Sequence, residues 1–302
     1  MSTFRTEHLE TLVALIEEGT FDAAARRLSV TPSAISQRIK AMERSTGQVL
    51  VRRSNPVEPT PAGDIALRYG RQMRLLEDEA ARALALEEGE GGAITIPLAI
   101  NADSLGTWFM EALARARTPG VVFEVFRDDQ EHTTSLLRAG KVMAAITSEA
   151  EAVQGCRSEL LGTMTYRAVC SPGFLEEQLE GEAGPSNLSG VTVVDFDRKD
   201  QTQNRFFRGF TGRQLRAPRH YIPTSADYAR AIVAGLGWGL LPDQQCLPEI
   251  ERGELVEIAP DDHVGIPLYW QRWTLESPLL EELTDAVKAV AASQMPLAPR
   301  RG

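Results

Sequence analysis

The stretch that decides the fold runs from Phe21 to Gly63 and reads FDAAARRLSVTPSAISQRIKAMERSTGQVLVRRSNPVEPTPAG. Apolar residues recur at helical spacing in two blocks, and Thr31-Pro32 between them has the composition of an N-cap followed by proline at the first helical position. The same spacing predicts an earlier helix that starts near Thr6, with Gly19 as its terminating glycine. The sequence therefore predicts three short helices with a tight turn before the third, which is a helix-turn-helix.

The third predicted helix has a polar face suited to the major groove of DNA. Gln37 can bond adenine, and Arg38 can reach guanine or a phosphate. A small hairpin, or wing, is predicted over residues 49–60, with two cations that suit phosphate contacts. The candidate residues on these elements are Ser33, Ser36, Gln37, Arg38, Lys40, Arg52 and Arg53. The alternative is a generic three-helix bundle whose polar face is only solvated.

Charge is distributed unevenly along the 302 residues, whose formal net charge is −10. Residues 26–53 hold seven basic residues and one acid, whereas residues 91–302 hold 20 basic and 28 acidic residues. Such a chain cannot coat nucleic acid with its whole surface, so any contact has to be local. A compact basic segment on an acidic body favours DNA binding over the solvated bundle.

Several blocks of the head resemble the winged helix-turn-helix of LysR-type transcriptional regulators. They are Ala23-Ala24-Ala25, the entry Thr31–Ser36, and the close Thr60–Gly63. The resemblance implies that the third helix and the wing bind promoter DNA. By position it places DNA contacts on Thr31, Pro32, Ser33, Ser36, Gln37, Arg38 and Arg52.

A long helix is predicted after the head, from Ala62 to about Glu88. A near-heptad apolar seam runs along it through Ile65, Tyr69, Met73, Leu76, Ala80 and Ala83. We expect either a second copy of the helix or the chain's own C-terminal body to cover this seam. The resemblance implies the first, as a homodimer or homotetramer. The glycine-rich run 87–92 is the predicted boundary, which gives a head at 1–61, a linker helix at 62–90 and a body at 91–302.

The body alternates strand and helix patterns, which predicts an α/β fold with a doubly wound parallel sheet. This alternation of predicted strands and helices is consistent with two lobes, lobe I at 91–163 and 269–302 and lobe II at 164–268. The expected architecture is a two-lobed effector-binding domain of the periplasmic-binding-protein type.

Ligands in open α/β sheets bind at the carboxyl ends of strands. Asp103 and Ser104 lie where a strand leads into a helix, whose free N–H groups would hold a ligand carboxylate. The candidate effector residues are Asp103, Ser104, Thr147, Asp195, Asp197, Ser225 and Asp227. Hydroxyls and carboxylates together suit a zwitterion with an added positive charge. The alternative for each aspartate is a helix N-cap.

Three blocks of the body resemble the arginine- and lysine-responsive branch of the family, the ArgP/LysG regulators. They are NADSLGTWF (Asn101–Phe109), the stretch Phe196–Arg205, and LYWQRWTLESPLLEELTDAV (Leu268–Val287). The resemblance implies a basic amino acid effector, lysine or arginine, and an exporter gene as target. Two alternatives stay open: a LysR-type regulator of another metabolite, or a solute-binding protein or enzyme with an accessory DNA-binding head.

The remaining features weigh against catalysis and membrane insertion. The four histidines are scattered, and the three cysteines form no CxxC pair, so we expect no enzyme, metal or cofactor. The first residues lack an apolar signal core, and no apolar run reaches the length of a membrane span. We expect a cytoplasmic protein that does not associate with membranes, whose partners are promoter DNA, a small-molecule effector, its own copies and RNA polymerase.

Overall fold

The N-terminal head consists of three helices and a short hairpin. In the computed structural model, which describes residues 4–84, 93–127, 133–182, 184 and 187–295, its elements are α1 (Thr6–Glu18), α2 (Phe21–Arg27), α3 (Pro32–Thr46), β1 (Val51–Arg52) and β2 (Glu58–Pro59). Gly19 ends α1 at φ 72°, a left-handed conformation that favours glycine. The Thr20 and Thr31 hydroxyls accept the N–H groups of Ala23 and Ala34, which caps α2 and α3. The predicted winged helix-turn-helix is confirmed.

The head has its own apolar core, made from the helical faces that the sequence predicts. Leu12, Ile35 and Ile39 are buried in it together with Leu50 at the start of the wing. The Glu43 carboxylate accepts the Leu50 N–H at 3.0 Å and so ties α3 to the wing.

The linker helix α4 (Pro61–Ala83) has Thr60 as its N-cap, and the Thr60 hydroxyl accepts the Gly63 N–H. One face packs on α1 so closely that a Cβ at Gly70 would lie 2.9 Å from the Val13 side chain. The predicted seam lies on another face and is exposed, with Ile65 at 55%, Tyr69 at 51%, Met73 at 39% and Leu76 at 40%. The predicted helix end near Glu88 and the boundary at 87–92 lie outside the described residues.

The body follows with alternating elements through its first half and a more irregular order afterwards. They are β3 (Ile94–Ile100), α5 (Ala102–Thr107), α6 (Phe109–Arg115), β4 (Val121–Arg127), α7 (Thr133–Arg138), β5 (Ala144–Thr147), β6 (Cys156–Cys170), α8 (Pro172–Leu179), β7 (Val193–Asp195), α9 (Thr202–Thr211), β8 (Arg219–Tyr221), α10 (Ser225–Val233), β9 (Gly239–Pro242), α11 (Asp243–Glu251), β10 (Val256–Glu257), β11 (Val264–Trp273) and α12 (Pro278–Gln294). None of the described helices is long and apolar enough to cross a bilayer.

The main sheet is mixed, which corrects the prediction of a parallel one. Its strand order is β10-β6-β11-β5-β3-β4, with β9 also paired to β6. Within it, β3 pairs parallel with β4 and β5, whereas β11 pairs antiparallel with β5 and β6, and β6 pairs antiparallel with β9 and β10. The strands β7 and β8 form a separate, parallel two-stranded sheet. The sequence pattern detects only the end of β6, because its 15 residues acquire their partners from distant parts of the chain.

The long antiparallel pair β6 and β11 runs through the body from end to end. Its register shifts between Leu268 and Tyr269, opposite Gly162. The boundary between lobe I and lobe II that we propose from the sequence falls at this irregularity. The helical segment after β3 consists of two helices, α5 and α6, which meet at Trp108.

Candidate DNA-binding surface and effector cleft

The first turns of α3 present a continuous polar surface to solvent. Pro32, Ser33, Gln37 and Lys40 are exposed, and Ser36 is half-buried beside them. Thr31 is exposed as well, but its hydroxyl caps the helix at 3.2 Å from the Ala34 nitrogen. These side chains are free to meet base edges and phosphates, so their DNA contacts remain predictions with a suitable geometry.

Arg38 lies differently from the other candidate residues of α3. Its guanidinium donates to the Thr11 hydroxyl at 3.1 Å and lies 3.6 Å from the Glu7 carboxylate. It therefore braces α3 against α1. A guanine or phosphate contact by Arg38, as the sequence predicts, would require the side chain to leave these partners.

The two wing cations also differ. Arg53 lies 6.0 Å from the centroid of the Phe21 ring, a cation–π distance that restrains it on the head. Arg52 is exposed and forms no ion pair with any carboxylate in the part of the chain that the structure describes. Arg52 is therefore the wing residue best suited to a phosphate contact.

Asp103 on α5 joins three parts of the body that are far apart in sequence. Its carboxylate accepts the Tyr166 O–H at 2.8 Å and the Ser225 O–H at 3.0 Å. The Ser225 oxygen in turn accepts an N–H from Gln245 at 3.0 Å. The structure thus brings two predicted effector residues, Asp103 and Ser225, together across the cleft between α5 and α10.

The cleft holds two carboxyl groups that influence each other, Asp103 and Asp200. Burial raises the pKa of Asp103, against the hydrogen bonds from Tyr166 and Ser225, and the nearby Asp200 carboxylate raises it further. Burial also raises the pKa of Tyr166 well above its ordinary value, with Asp103 and Asp200 adding to the effect. A bound cation would stabilise the buried Asp103 carboxylate and offset its repulsion by Asp200.

Two further polar groups at this end of β3 are buried without partners. Among the described residues, neither the Ser104 hydroxyl nor the Asn101 amide oxygen has a hydrogen bond. Buried polar atoms without partners are costly, and a ligand is one way of satisfying them. Thr147 at the end of β5 is also buried, but its hydroxyl accepts the Glu149 N–H at 3.1 Å and so shapes a turn.

The other predicted aspartates are engaged in local structure. Asp195 pairs with Arg219 on the neighbouring strand. Asp197 accepts the backbone N–H groups of Lys199 at 2.6 Å and Asp200 at 2.9 Å. Asp227 is exposed and bonds to Thr224, the N-cap of α10. Neither aspartate is an N-cap, because Gln201 and Thr224 are the N-cap residues of α9 and α10. Asp197 shapes the loop before α9, and Asp227 holds the hydroxyl of the Thr224 cap.

Sequence reasoning missed Tyr166, Asp200 and Gln245. Tyr166 lies inside the long strand β6, away from any strand end, and Gln245 lies on α11. Asp200 was hidden in a run of charges, and its carboxylate accepts the Thr202 N–H at 2.8 Å. No local pattern marks these residues, because their role comes from the folding of distant segments onto Asp103.

Comparisons with known proteins agree with this architecture. Residues 6–64 match the family model described as bacterial regulatory helix-turn-helix protein, lysR family, and residues 90–292 match the LysR substrate binding domain. The lysine export transcriptional regulatory protein LysG of Corynebacterium efficiens is 42% identical over 93% of this chain and 95% of its own length.

Two solved structures are similar over the full length. ArgP from Mycobacterium tuberculosis aligns with a TM-score of 0.88 and 38% identity, covering 96% of this chain and 98% of that one. LysG from Corynebacterium glutamicum with bound effector Arg aligns with a TM-score of 0.83 and 37% identity, covering 97% and 99%. The chain belongs to the LysR family of helix-turn-helix transcriptional regulators and is related to LysG and ArgP, which are regulators and not enzymes.

Proposed function

We propose that this regulator senses a basic amino acid, lysine or arginine, in the cleft beside Asp103 and controls a gene for its export. The observation that carries the proposal is the buried Asp103 carboxyl group with the Asp200 carboxylate near it, together with the Ser104 hydroxyl and Asn101 oxygen, which have no partner among the described residues. A cationic side chain would neutralise the carboxyl groups, and an α-ammonium group would donate to the free oxygens. The arginine bound to LysG of Corynebacterium glutamicum supports an effector of this class.

For DNA recognition we propose that the exposed face of α3 reads base edges and that Arg52 contacts phosphate. The exposed seam of α4 supports a homodimer, in which two heads bind two half-sites. Once one head is bound, the second head is held near its half-site at a high effective concentration, so the dimer binds DNA more tightly than a single head does. Dimers of such dimers would form the tetramer.

The effector has to favour one arrangement of the body over another, since equal binding to both shifts nothing. In this structure the two sides of the cleft touch, because a Cβ added to Gly106 on α5 would lie 3.0 Å from the Ser225 side chain. We propose that an effector between α5 and α10 changes this contact, and with it the spacing of the heads on DNA and their contact with RNA polymerase.

Calorimetry on the full-length protein tests the effector. We expect L-arginine and L-lysine to bind, and L-citrulline, which is close to arginine in shape but uncharged, to bind at least about tenfold more weakly, because it loses a charge-assisted hydrogen bond. Asp103→Asn should remove most of this preference for the charged ligand. If another metabolite binds and neither lysine nor arginine does, the result would support the alternative, a LysR-type regulator with a different effector.

A gel-shift titration with the promoter region of the proposed target gene tests DNA binding. We expect sequence-preferring binding at moderate salt, with an affinity that changes when the effector is added. Binding that does not distinguish the promoter from unrelated duplex, with or without effector, would contradict the proposal.

A further inference from the structure

A second basic segment lies in the body, far from the DNA-binding head. Residues 198–219 contain seven basic residues and one acid, although the body as a whole is acidic. The basic residues are Arg198, Lys199, Arg205, Arg208, Arg213, Arg216 and Arg219. They lie on α9, on its flanking loops and on the neighbouring strand β8.

Most of these cations are exposed and unneutralised. Within the described residues, none of Arg205, Arg208, Arg213 and Arg216 forms an ion pair, and all four are exposed. Like charges held together on one surface repel each other. An anionic ligand would relieve that repulsion.

Part of this segment forms a concave site. A cleft of about 380 Å³ opens between α9 and β8, a size in the range of small-molecule sites. Its lining residues are polar with one exception, and all belong to one contiguous part of the chain: Asp195, Arg198, Asp200, Gln201, Asn204, Arg208, Gln214, Leu215, Arg219 and Tyr221.

Several cleft side chains are held in place by their neighbours. Arg219 donates to the Asn204 amide oxygen at 2.6 Å and also pairs with Asp195. Arg198 lies 4.7 Å from the centroid of the Tyr221 ring. Asp195 is 1% exposed, and its Oδ1 has no hydrogen-bond partner among the described residues. The cleft thus combines oriented guanidinium groups at its walls with an unsatisfied acceptor at its base.

We propose that this cleft binds a small multivalent anion with phosphate or carboxylate groups, and that it is a second site, which adjoins the effector cleft at Asp200. Arg198 and Arg208 supply the charge, since neither is committed to a carboxylate, and the Gln201 and Gln214 side chains offer amides to the ligand's oxygens. A hydroxyl on the anion would satisfy the Asp195 oxygen. None of the lining residues comes from α5 or β3, which carry the Asp103 end of the effector cleft. The Asp200 carboxylate is common to both sites, and Asp195, which pairs with Arg219, is the other acid in the lining.

The concave shape favours a small anion over an acidic protein or a nucleic acid. Arg213 and Arg216 belong to the same basic segment but do not line the cleft. A macromolecular polyanion would use them as much as Arg208, whereas a small anion in the cleft would depend on Arg208 and not on Arg213 or Arg216. This difference supplies a matched control on the same surface.

The test is calorimetry and thermal unfolding of the full-length protein with inorganic pyrophosphate and with citrate, at matched ionic strength set by NaCl. We expect one of the two to bind and to raise the melting temperature. Arg208→Gln should weaken this binding at least about tenfold, the loss of one charge-assisted bond, while Arg213→Gln changes it less than about twofold. Both residues are exposed, so both variants should melt like the wild type without the probe.

The proposal is overturned if neither anion binds at millimolar concentration. Equal weakening by Arg208→Gln and Arg213→Gln would also overturn it, because that result indicates a diffuse polyanion surface. Loss of arginine or lysine binding in Arg208→Gln would show that the cleft belongs to the effector site. Failure of the basic amino acids to bind leaves this proposal intact, because the probes here are anions.

Discussion

Asp103 shows how one carboxylate can join parts of the body that are distant in sequence. It receives hydroxyl hydrogens from β6 and from α10, across separations of 63 and 122 residues. Burying a charge without partners costs several kcal/mol, roughly, and two donors offset only part of that cost. The part of the burial cost that these donors do not offset raises the pKa of Asp103.

The raised pKa predicts how stability depends on pH. A carboxyl whose pKa is raised on folding contributes stability that is present below its unfolded-state pKa and lost as pH rises through its folded-state pKa. We therefore expect the free energy of unfolding of the wild type, relative to Asp103→Asn, to fall as pH rises above about 4 and then to level off. Urea denaturation of both proteins across that range measures the difference.

The control for this prediction is Asp227→Asn on the exposed end of α10. The Thr224 hydroxyl and then Arg230 lower the pKa of Asp227, so its contribution is lost as pH falls and has the opposite sign. A difference between wild type and Asp103→Asn that is constant with pH would contradict the prediction.

Gln37 and Arg38 are neighbours on α3 with different expected effects. We expect Gln37→Ala to relax sequence preference and to leave stability within about 0.5 kcal/mol, because its side chain is exposed. Arg38→Ala should lower stability by about 1 kcal/mol, because it removes the donor to the buried Thr11 hydroxyl and the ion pair with Glu7. Denaturation and gel shifts on a panel of altered sites separate the two. If Arg38→Ala leaves stability unchanged and relaxes the preference for DNA sequence, Arg38 contacts a base and does not brace α3.

Side chains of the linker helix α4 bond to both the head and the body. Arg71 is buried and donates to the Gly140 carbonyl of the body at 2.8 Å, and its Nε lies 3.5 Å from Glu17 of the head. Burial raises the pKa of Glu17, but hydrogen bonds and charges from Arg74, Arg27 and Arg71 outweigh it and hold the pKa below its usual value. Farther along α4, the Glu79 carboxylate accepts the Ser277 O–H at 2.6 Å.

This attachment predicts that head and body unfold together. We expect Arg71→Met to destabilise the protein by about 1 to 3 kcal/mol, because the buried Gly140 carbonyl loses its charged donor. Calorimetry should then separate head and body into two transitions. Arg82→Met, at the exposed end of the same helix, is the control and should unfold like the wild type. A single unchanged transition in Arg71→Met would contradict the coupling.

The exposed seam of α4 leaves apolar surface that a single copy of the chain does not cover in the described structure. Ile65, Tyr69, Met73 and Leu76 line one side of the helix, while the opposite side contacts the head and the body. A partner helix along this seam would bury it in the manner of a coiled coil. Dimerisation is therefore the expected state of the whole molecule.

A charge in the seam should separate the copies. We expect Met73→Glu to sediment as a smaller species than the wild type and to bind promoter DNA about a hundredfold more weakly, because the two heads no longer act as one ligand. Arg82→Glu introduces the same side chain on the opposite side of α4 and should keep the wild-type assembly. An unchanged sedimentation coefficient in Met73→Glu would place the dimer contact elsewhere.

Features set by neighbouring residues were predictable from the amino-acid order. Thr31-Pro32 caps α3 and Gly19 ends α1, because capping and left-handed turns depend on a few adjacent backbone groups. The seam of α4 was predictable for the same reason, since helical periodicity decides which side chains share a face. These local signals sufficed for the head, the linker and the alternating first half of the body.

The antiparallel partners of β6, the brace from Arg38 to Glu7, and the meeting of Asp103, Tyr166 and Ser225 depended on the folded chain. Each joins residues separated by tens of positions or more, and no local pattern records which distant segment will arrive. Caps and periodicity are short-range effects, whereas strand pairing and buried polar contacts are settled by which arrangement of the entire chain satisfies the most groups at once.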